Sequence, residues 1–353
     1  MMKILKVFIY YRYTDCLGPI PYSQYGNMQK TVPYDKQEDI YNSFFLELDS
    51  AYTILKANAG ATSGTFALYD PIYAGNVDRW QKFGSSLRLR LALRVKYVNL
   101  TMAKTQAEKA VTEGVITSNA DNGWVTTSSD FQNPYNIISP WAEYRMSADM
   151  ESILKGYLDP RVQAYYSPAK TPDLSDDPVG IVIPGLTGYP FEGIRNGQTK
   201  NDRSAIKYDE LASDMAKPYT IVGDKGPKWF VMRAFETYFL RAEGALEGWN
   251  MGTIGCSTPA ALYKTGIETS FAENGYTDYL NFAGAEYSSS ALVPVSPGKD
   301  WNTFALNTPR VDQAPVSTVP VAFMTGGTKE QQLEQIITQK WIGLYPDSQE
   351  AYA

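Results

Sequence analysis

Apolar residues recur every three or four positions along several long stretches of this chain, which is the spacing of one face of an α-helix. The clearest stretch is residues 78–99, DRWQKFGSSLRLRLALRVKYVN, where the face consists of Trp80, Phe83, Leu87, Leu91, Val95 and Val98. Small residues beside this face would let a neighbouring backbone approach closely. The pattern predicts a buried central helix with Asp78 as its N-cap, because a carboxylate there can accept from unpaired amide groups.

Three arginines of this stretch, Arg88, Arg90 and Arg94, fall largely off the apolar face. Arg90 and Arg94 are one helical turn apart, so carboxylates on adjacent helices are their natural partners. We therefore predict structural ion pairs at these arginines in preference to ligand binding.

Further helices are predicted on both sides of the central one. Asp35 and Glu38 form a capping-box pattern at the start of a helix that runs to about Ala57. The remaining predicted helices cover residues 104–113, 147–158, 229–247, 258–274 and 278–282, and a last one begins at Thr328 with Gln331 as its capping-box partner. The opening residues resemble the last turns of a helix whose beginning has been cut off.

Residues 115–228 contain prolines about every ten positions and keep no long apolar period outside 147–158. We predict a loop-rich segment there, with short hairpins around residues 180–193. A connection this long inside a compact domain is usually either functional or a sign of a misassigned element, and its many aromatic residues favour function.

Paired helices of about 40 residues with small residues at their crossings are typical of tetratricopeptide-like hairpins. We therefore predict a mainly α fold in a single domain over residues 1–353. Residues 1–114 and 229–349 form the helical scaffold, and 115–228 form a loop-rich insertion with a few short β-hairpins.

The composition of the chain excludes several classes of protein function. The net charge is −6, and a nucleic-acid binder needs a basic face, so no nucleic-acid partner is expected. The chain has no histidine, which excludes a Ser-His-Asp or Cys-His site. Cys16 and Cys256 are the only cysteines, and we predict buried thiols. No run of 18 apolar residues is present to span a bilayer.

Aromatic residues in the predicted loops are the candidate binding residues. The sequence has 26 tyrosines and 7 tryptophans, and flat rings beside polar groups bind sugars without catalysis. Each ring has the alternative role of anchoring its loop to the scaffold. The candidates are Trp124, Trp141, Trp301, Tyr135, Tyr144, Tyr189, Tyr287 and the polar neighbour Asn133.

No cofactor is predicted. Asp121-Asn122-Gly123 and the set Asp173, Asp176 and Asp177 offer oxygen ligands of the kind that Ca²⁺ takes, but neither follows an EF-hand loop. Turn or solvent roles are therefore the stronger prediction for these carboxylates.

Six short stretches resemble, in order, motifs of the SusD/RagB family of outer-membrane nutrient-binding lipoproteins. The central helix carries the longest of them, WQKFGSSLRLRLALR at residues 80–94. The others are DCLGPIPY (15–22), YDKQEDIYNSFFLELD (34–49), LDPR (158–161), FLRAE (239–243) and IITQKWI (336–342).

The resemblance implies a non-catalytic protein on the cell-surface face of the outer membrane, lipid-anchored in its full-length form. It implies a partner, a SusC-like TonB-dependent transporter, to which oligosaccharides or, in some members, peptides are delivered. The family's signal peptide, lipid-attachment cysteine, first helices and closing segment are not found here, so we expect an internal fragment or a mis-started reading frame without the anchor.

Two other functions fit the same residues. A glycoside hydrolase needs only two carboxylates at a set separation, so the lack of histidine does not exclude one on an all-helical scaffold. A purely structural tetratricopeptide-like adaptor would bind no sugar at all.

Overall fold

The computed structural model describes residues 1–62, 64–141, 144–178, 181, 183–196, 208–253, 257–297 and 314–352. Helices of more than eight residues are α1 (Met2–Leu17), α2 (Gln37–Ala57), α4 (Val77–Arg94), α5 (Leu100–Glu113), α7 (Ala148–Gly156), α11 (Ala234–Leu246), α12 (Pro259–Glu273) and α13 (Lys329–Leu344). Shorter helices are α3 (Gly64–Ala67), α6 (Pro134–Ile138), α8 (Val162–Tyr165), α9 (Tyr208–Leu211), α10 (Lys217–Thr220) and α14 (Ser348–Tyr352).

The remaining regular structure in these ranges is sparse. Two short strands, β1 (Gly123–Val125) and β2 (Trp229–Met232), pair in a two-stranded sheet. Single 3₁₀ turns cover Asn119–Asp121, Ser139–Trp141, Leu174–Asp176 and Tyr287–Ser289. The structure is therefore mainly α, which confirms the predicted fold class.

The chain forms two compact units. The first unit contains Met1–Val125, Phe230–Gly266 and Asp347–Ala353, and the second contains Thr126–Trp229 and Ile267–Pro346. The predicted scaffold combines residues 229–349 with the N-terminal helices, whereas in the structure residues 267–346 group with the proline-rich segment. The loop-rich segment thus shares a core with two of the later helical stretches.

Helix α4 is the centre of the first unit. It contacts α2, α5 and α11, and the side chains of Phe83, Leu87 and Leu91 are fully buried. Fully burying a side chain of this kind contributes about 1.5–3 kcal/mol. The predicted central helix is confirmed, although it ends at Arg94, before the predicted end.

Two predicted helix caps are wrong in detail. The Asp35 carboxylate accepts from the amides of Tyr22 and Ser23 at 2.9 and 2.7 Å, so it closes a loop, and α2 begins at Gln37 without a side-chain cap. Asn76 caps α4, while Asp78 accepts from the amide of Gly60. In both cases the carboxylate satisfies a different set of unpaired amides.

Arg88, Arg90 and Arg94 of α4 form ion pairs, as predicted. Arg90 is buried and donates from Nε and Nη2 to both oxygens of Glu236, each at 2.7 Å, and from Nη1 to the Tyr11 hydroxyl. Arg94 donates to Glu350 at 2.6 Å, and Arg88 pairs with Asp49 and Glu113. Arg90, Glu236, Tyr11 and Glu350 thus form a buried network, which we call the Arg90 network.

The second unit is held by a comparable cluster around Arg161. Its Nε and Nη2 donate to the two oxygens of Asp159 at 3.0 and 2.6 Å, and Nη1 donates to Ser270. Gln339 accepts from Nη2, and the Tyr287 hydroxyl donates to Asp159 at 2.6 Å. These five side chains, the Arg161 network, join the loop after α7 to α12, α13 and the Tyr287 turn.

Several other element predictions are tested by the structure. Thr328 and Gln331 form the predicted capping box of α13, and the Thr258 hydroxyl accepts from the amide of Ala261 at the start of α12. Residues 229–232 are a strand and not the start of a helix. Residues 278–282 form no helix.

Among residues 181 and 183–193 the structure contains no strand, so the predicted hairpins are not found there. Cys16 is exposed rather than buried, and Cys256 lies outside the described residues. In the described ranges no helix has both the length and the apolar character needed to cross a membrane.

Candidate functional site

Two loops of the second unit bring exposed aromatic rings together. Phe131 lies in the loop before α6, and Trp229 follows the loop after α10. Their ring centroids are 6.1 Å apart with a 38° angle between the planes. Phe131 is 37% exposed and Trp229 is half-buried, so the two rings form one partly open apolar surface, the Phe131–Trp229 pair.

More exposed aromatics lie on the same part of the chain. Trp141 is 61% exposed and Tyr144 is 48% exposed, while Tyr135 on α6 is half-buried. Helix α6, the 3₁₀ turn that ends at Trp141 and α10 all contact one another. The second unit therefore presents several rings from short helices that pack together.

The two loops are held together by polar contacts to backbone carbonyls. Asn133 donates from Nδ2 to the carbonyl of Pro227 at 2.9 Å, and its own amide donates to the carbonyl of Lys225. Asn136 donates to the carbonyls of Ile221 and Asp224 at 3.3 and 3.0 Å. The side-chain amides of Asn133 and Asn136 thus join the stretch that follows Phe131 to the loop that precedes Trp229.

Asn133 was predicted to contact a ligand, and the structure gives it another role. It is 2% exposed, its Oδ1 caps α6 by accepting from the amide of Tyr135, and its Nδ2 is used on Pro227. Because its polar atoms are committed within the protein, Asn133 shapes the loop and does not face solvent.

Tyr189 and Tyr287 are core residues in the structure. Both side chains are fully buried, and burial raises the pKa of each phenol. Tyr189 packs edge-on against Phe191, and Tyr287 belongs to the Arg161 network. Neither ring presents a face to solvent, so the loop-anchor alternative describes these two positions.

Trp124 lies in the first unit. Its ring is half-buried, 6.2 Å from the ring of Phe230 in an edge-on arrangement, and the Arg79 guanidinium lies 5.8 Å from its centroid. Trp301 lies outside the described residues.

Trp229 was not among the candidate binding residues, because the apolar pattern placed it at the start of a helix. Phe131 lies in the predicted loop-rich segment but was not among the candidate binding residues. The available signal was the placement of both rings next to turn-forming residues, Ser-Ser-Asp before Phe131 and Gly-Pro-Lys before Trp229.

Asp121, Asp173 and Asp177, three of the carboxylates considered for Ca²⁺, have protein partners. Asp121 pairs with Lys82 at 2.6 Å, and Asn122 accepts from the amide of Ala234. Asp177 pairs with Lys155 at 3.3 Å and accepts from the amide of Tyr189. In the part of the chain that the structure describes, no three acidic or cysteine side chains are grouped to hold a metal ion.

Comparison with known proteins identifies the family. A family model described as SusD-like, the Susd and RagB outer membrane lipoproteins, matches residues 1–353. The chain belongs to the SusD-like family. No curated protein matches it.

Solved SusD-like structures share this fold. A chitin-binding SusD homolog from Flavobacterium johnsoniae is 38% identical with a TM-score of 0.80, and the match covers 99% of this chain and 66% of that chain. A SusD homolog from Bacteroides ovatus is 32% identical with a TM-score of 0.81, again covering 99% and 66%. A SusD-like protein from Bacteroides thetaiotaomicron is 30% identical with a TM-score of 0.81 and the same coverage. The SusD-like chain described here spans 66% of the length of these relatives.

Proposed function

We propose that this SusD-like chain captures oligosaccharides at the outer-membrane surface and releases them unchanged to a SusC-like TonB-dependent transporter. Its family consists of outer membrane lipoproteins, and the Flavobacterium relative, at 38% identity, is described as chitin-binding. Oligosaccharides containing N-acetylglucosamine are therefore the first ligands to test.

The observation that carries this proposal is the set of solvent-exposed rings on the loops of the second unit. Trp141 exposes 61% of its surface, and the Phe131–Trp229 pair adds a second partly open surface. Exposed apolar groups that lie together, rather than singly, often mark a binding surface. A sugar ring has an apolar face that packs on such a ring, while its hydroxyl groups stay in contact with water or polar neighbours.

Capture without cleavage also agrees with the polar groups around the pair. The side chains of Asn133 and Asn136 are buried and bond to backbone groups, so they shape the loop rather than act on a bound sugar. A binding protein needs only contact with the ligand, whereas a glycosidase needs two carboxylates held on either side of the scissile bond.

The test is a titration of the purified chain with chitohexaose, followed by intrinsic tryptophan fluorescence and by an assay for new reducing ends. We expect a saturable fluorescence change without release of reducing ends. Trp141→Ala and Phe131→Ala should each weaken binding, while Tyr97→Ala, a change at an exposed ring of the first unit, should not.

Three outcomes would contradict the proposal. Release of reducing ends would indicate a hydrolase, and the absence of any saturable change with chitin, starch and xylan oligosaccharides would indicate an adaptor. If Tyr97→Ala weakened binding as much as Trp141→Ala and Phe131→Ala do, the binding site could not be assigned to the second unit. Delivery is tested separately by co-purification of the chain with a SusC-like transporter from its own organism.

A further inference from the structure

We infer that Thr127, Asn133, Asn136 and Gly226 form a clasp whose task is to hold the Phe131–Trp229 pair in its binding arrangement. This inference rests on the proposed function, because it assigns positioning residues to the same surface. None of the four contacts a ligand in this scheme. They set the relative position of two rings that are far apart in sequence.

The first support is the direction of the contacts. Thr127 donates to the carbonyl of Gly226 at 2.8 Å, and the Asn133 side chain donates to the next carbonyl, that of Pro227. Asn136 reaches two carbonyls earlier in the same loop, those of Ile221 and Asp224. Every contact therefore runs from residues 127–136, the stretch that contains Phe131 and the start of α6, to the loop that leads into Trp229.

The second support is the burial of these polar groups. The side chains of Thr127, Asn133 and Asn136 belong to residues that are only 2–4% exposed, beside rings that remain open to solvent. Buried N–H and O–H donors are costly unless they are hydrogen-bonded, so the loop arrangement that pairs these donors is preferred over others. The two loops are thus fixed in the absence of ligand.

The third support is the fit at Gly226. Its φ of +72° lies in the left-handed region, and a Cβ there would lie 2.8 Å from the Cβ of Asn136 and 2.9 Å from the Cβ of Asn133. Gly223 in the same loop has a similar φ of +77°, but a Cβ there would meet nothing within 4 Å. Only Gly226 is therefore required for the close approach of the two loops.

A fixed pair of rings binds more tightly than a mobile pair, because no ordering cost is paid when the ligand arrives. If the clasp is loosened, only the fraction of molecules with the rings in place can bind, and the apparent affinity falls by that fraction. A loss of affinity of about 5- to 30-fold corresponds to a free-energy cost of about one or two kcal/mol for ordering the two rings.

The experiment compares two pairs of matched variants in chitohexaose binding, near-ultraviolet circular dichroism and thermal unfolding. Gly226→Ala should weaken binding about 5- to 30-fold and change the aromatic dichroism, whereas Gly223→Ala, which carries the same backbone strain without the clash, should bind nearly as the unchanged chain does. Thr127→Val should weaken binding, whereas Thr127→Ser, which keeps the hydroxyl, should bind nearly as the unchanged chain does. The overall unfolding midpoint should move little in the threonine variants.

Phe131→Ala separates the two proposals. If Phe131→Ala binds as tightly as the unchanged chain, the pair is not the binding surface and the proposed site is wrong. If Phe131→Ala weakens binding but Gly226→Ala and Thr127→Val do not, the clasp inference is overturned while the binding surface stands. Should Gly226→Ala fail to fold, the Thr127 variants alone decide the question.

Discussion

Replacing Arg161 with methionine should destabilise the second unit by about 3–5 kcal/mol, the usual cost of removing one partner of a buried ion pair. Burial alone would lower the pKa of Arg161, but the adjacent Asp159 carboxylate raises it, so the guanidinium stays charged in the core. Both residues are fully buried. In the variant the Asp159 carboxylate keeps the Tyr287 hydroxyl but loses both hydrogen bonds from the guanidinium.

The assay is thermal unfolding of the purified chain, followed by circular dichroism. For a unit of this size, each kcal/mol shifts the midpoint by about 2–4 °C, so the expected shift is roughly 6–20 °C. A double variant, Asp159→Asn with Arg161→Met, should be less destabilised than the single one, because it no longer buries an unpaired charge. The control is Lys104→Met, at an exposed pair with Glu108, which should cost no more than about 0.5 kcal/mol.

If Arg161→Met lowered the free energy of unfolding by less than about 1 kcal/mol, this reasoning would be refuted, because the Arg161–Asp159 pair would then contribute no more than a surface ion pair. Equal destabilisation of the single and double variants would also refute it. In that case the cost would come from lost packing around Phe271, whose ring lies 4.8 Å from the guanidinium, and not from a stranded charge.

Three further predictions concern other parts of the fold. Thr328→Ala removes the α13 capping box and should lower the free energy of unfolding by about 1 kcal/mol in a urea titration. Gly156→Ala would place a Cβ 2.4 Å from a backbone carbonyl oxygen and should cost about 1–3 kcal/mol in thermal unfolding, whereas Gly64→Ala, with open space around it, should be neutral or slightly stabilising. Burial alone would raise the pKa of Asp347, but hydrogen bonds from Arg12 hold it below its usual 3.8. The contribution of a carboxylate with a lowered pKa is present above its ordinary pKa and lost as the pH falls through the folded value. The difference in unfolding free energy between the unchanged chain and Asp347→Asn should therefore be largest near neutral pH and shrink in acid, and a difference that does not change with pH would contradict this.

The long helices could be predicted because a period of 3.6 residues and a capping residue are both local signals. The first residue of each helix was harder to predict, because a carboxylate such as Asp35 can accept hydrogen bonds from an adjacent loop as readily as from a helix end. The four residues of β2 form an apolar run too short to distinguish a strand from the first turn of a helix.

The candidate surface could be predicted only by residue type. Rings on loops were expected to face a ligand, and Trp141 and Tyr144 are indeed exposed, although their role in binding stays a prediction. Tyr287 has the same kind of sequence neighbourhood, but its hydroxyl bonds Asp159, 128 positions earlier in the chain. Phe131 and Trp229 are far apart in the sequence, and they lie in loops that the clasp joins. Contacts of this range leave no periodic pattern in the sequence.

The Arg90 network has a consequence for the order in which the chain folds. The first unit draws on three separate stretches, and Tyr11 pairs with Glu350, 339 positions later. Between the emergence of residues 125 and 347, a ribosome working at about 5–20 residues per second needs roughly 10–45 s. Throughout that interval the helices of residues 1–113 lack the Glu350 carboxylate that completes their interior, so this unit reaches its final form only after that residue has been made.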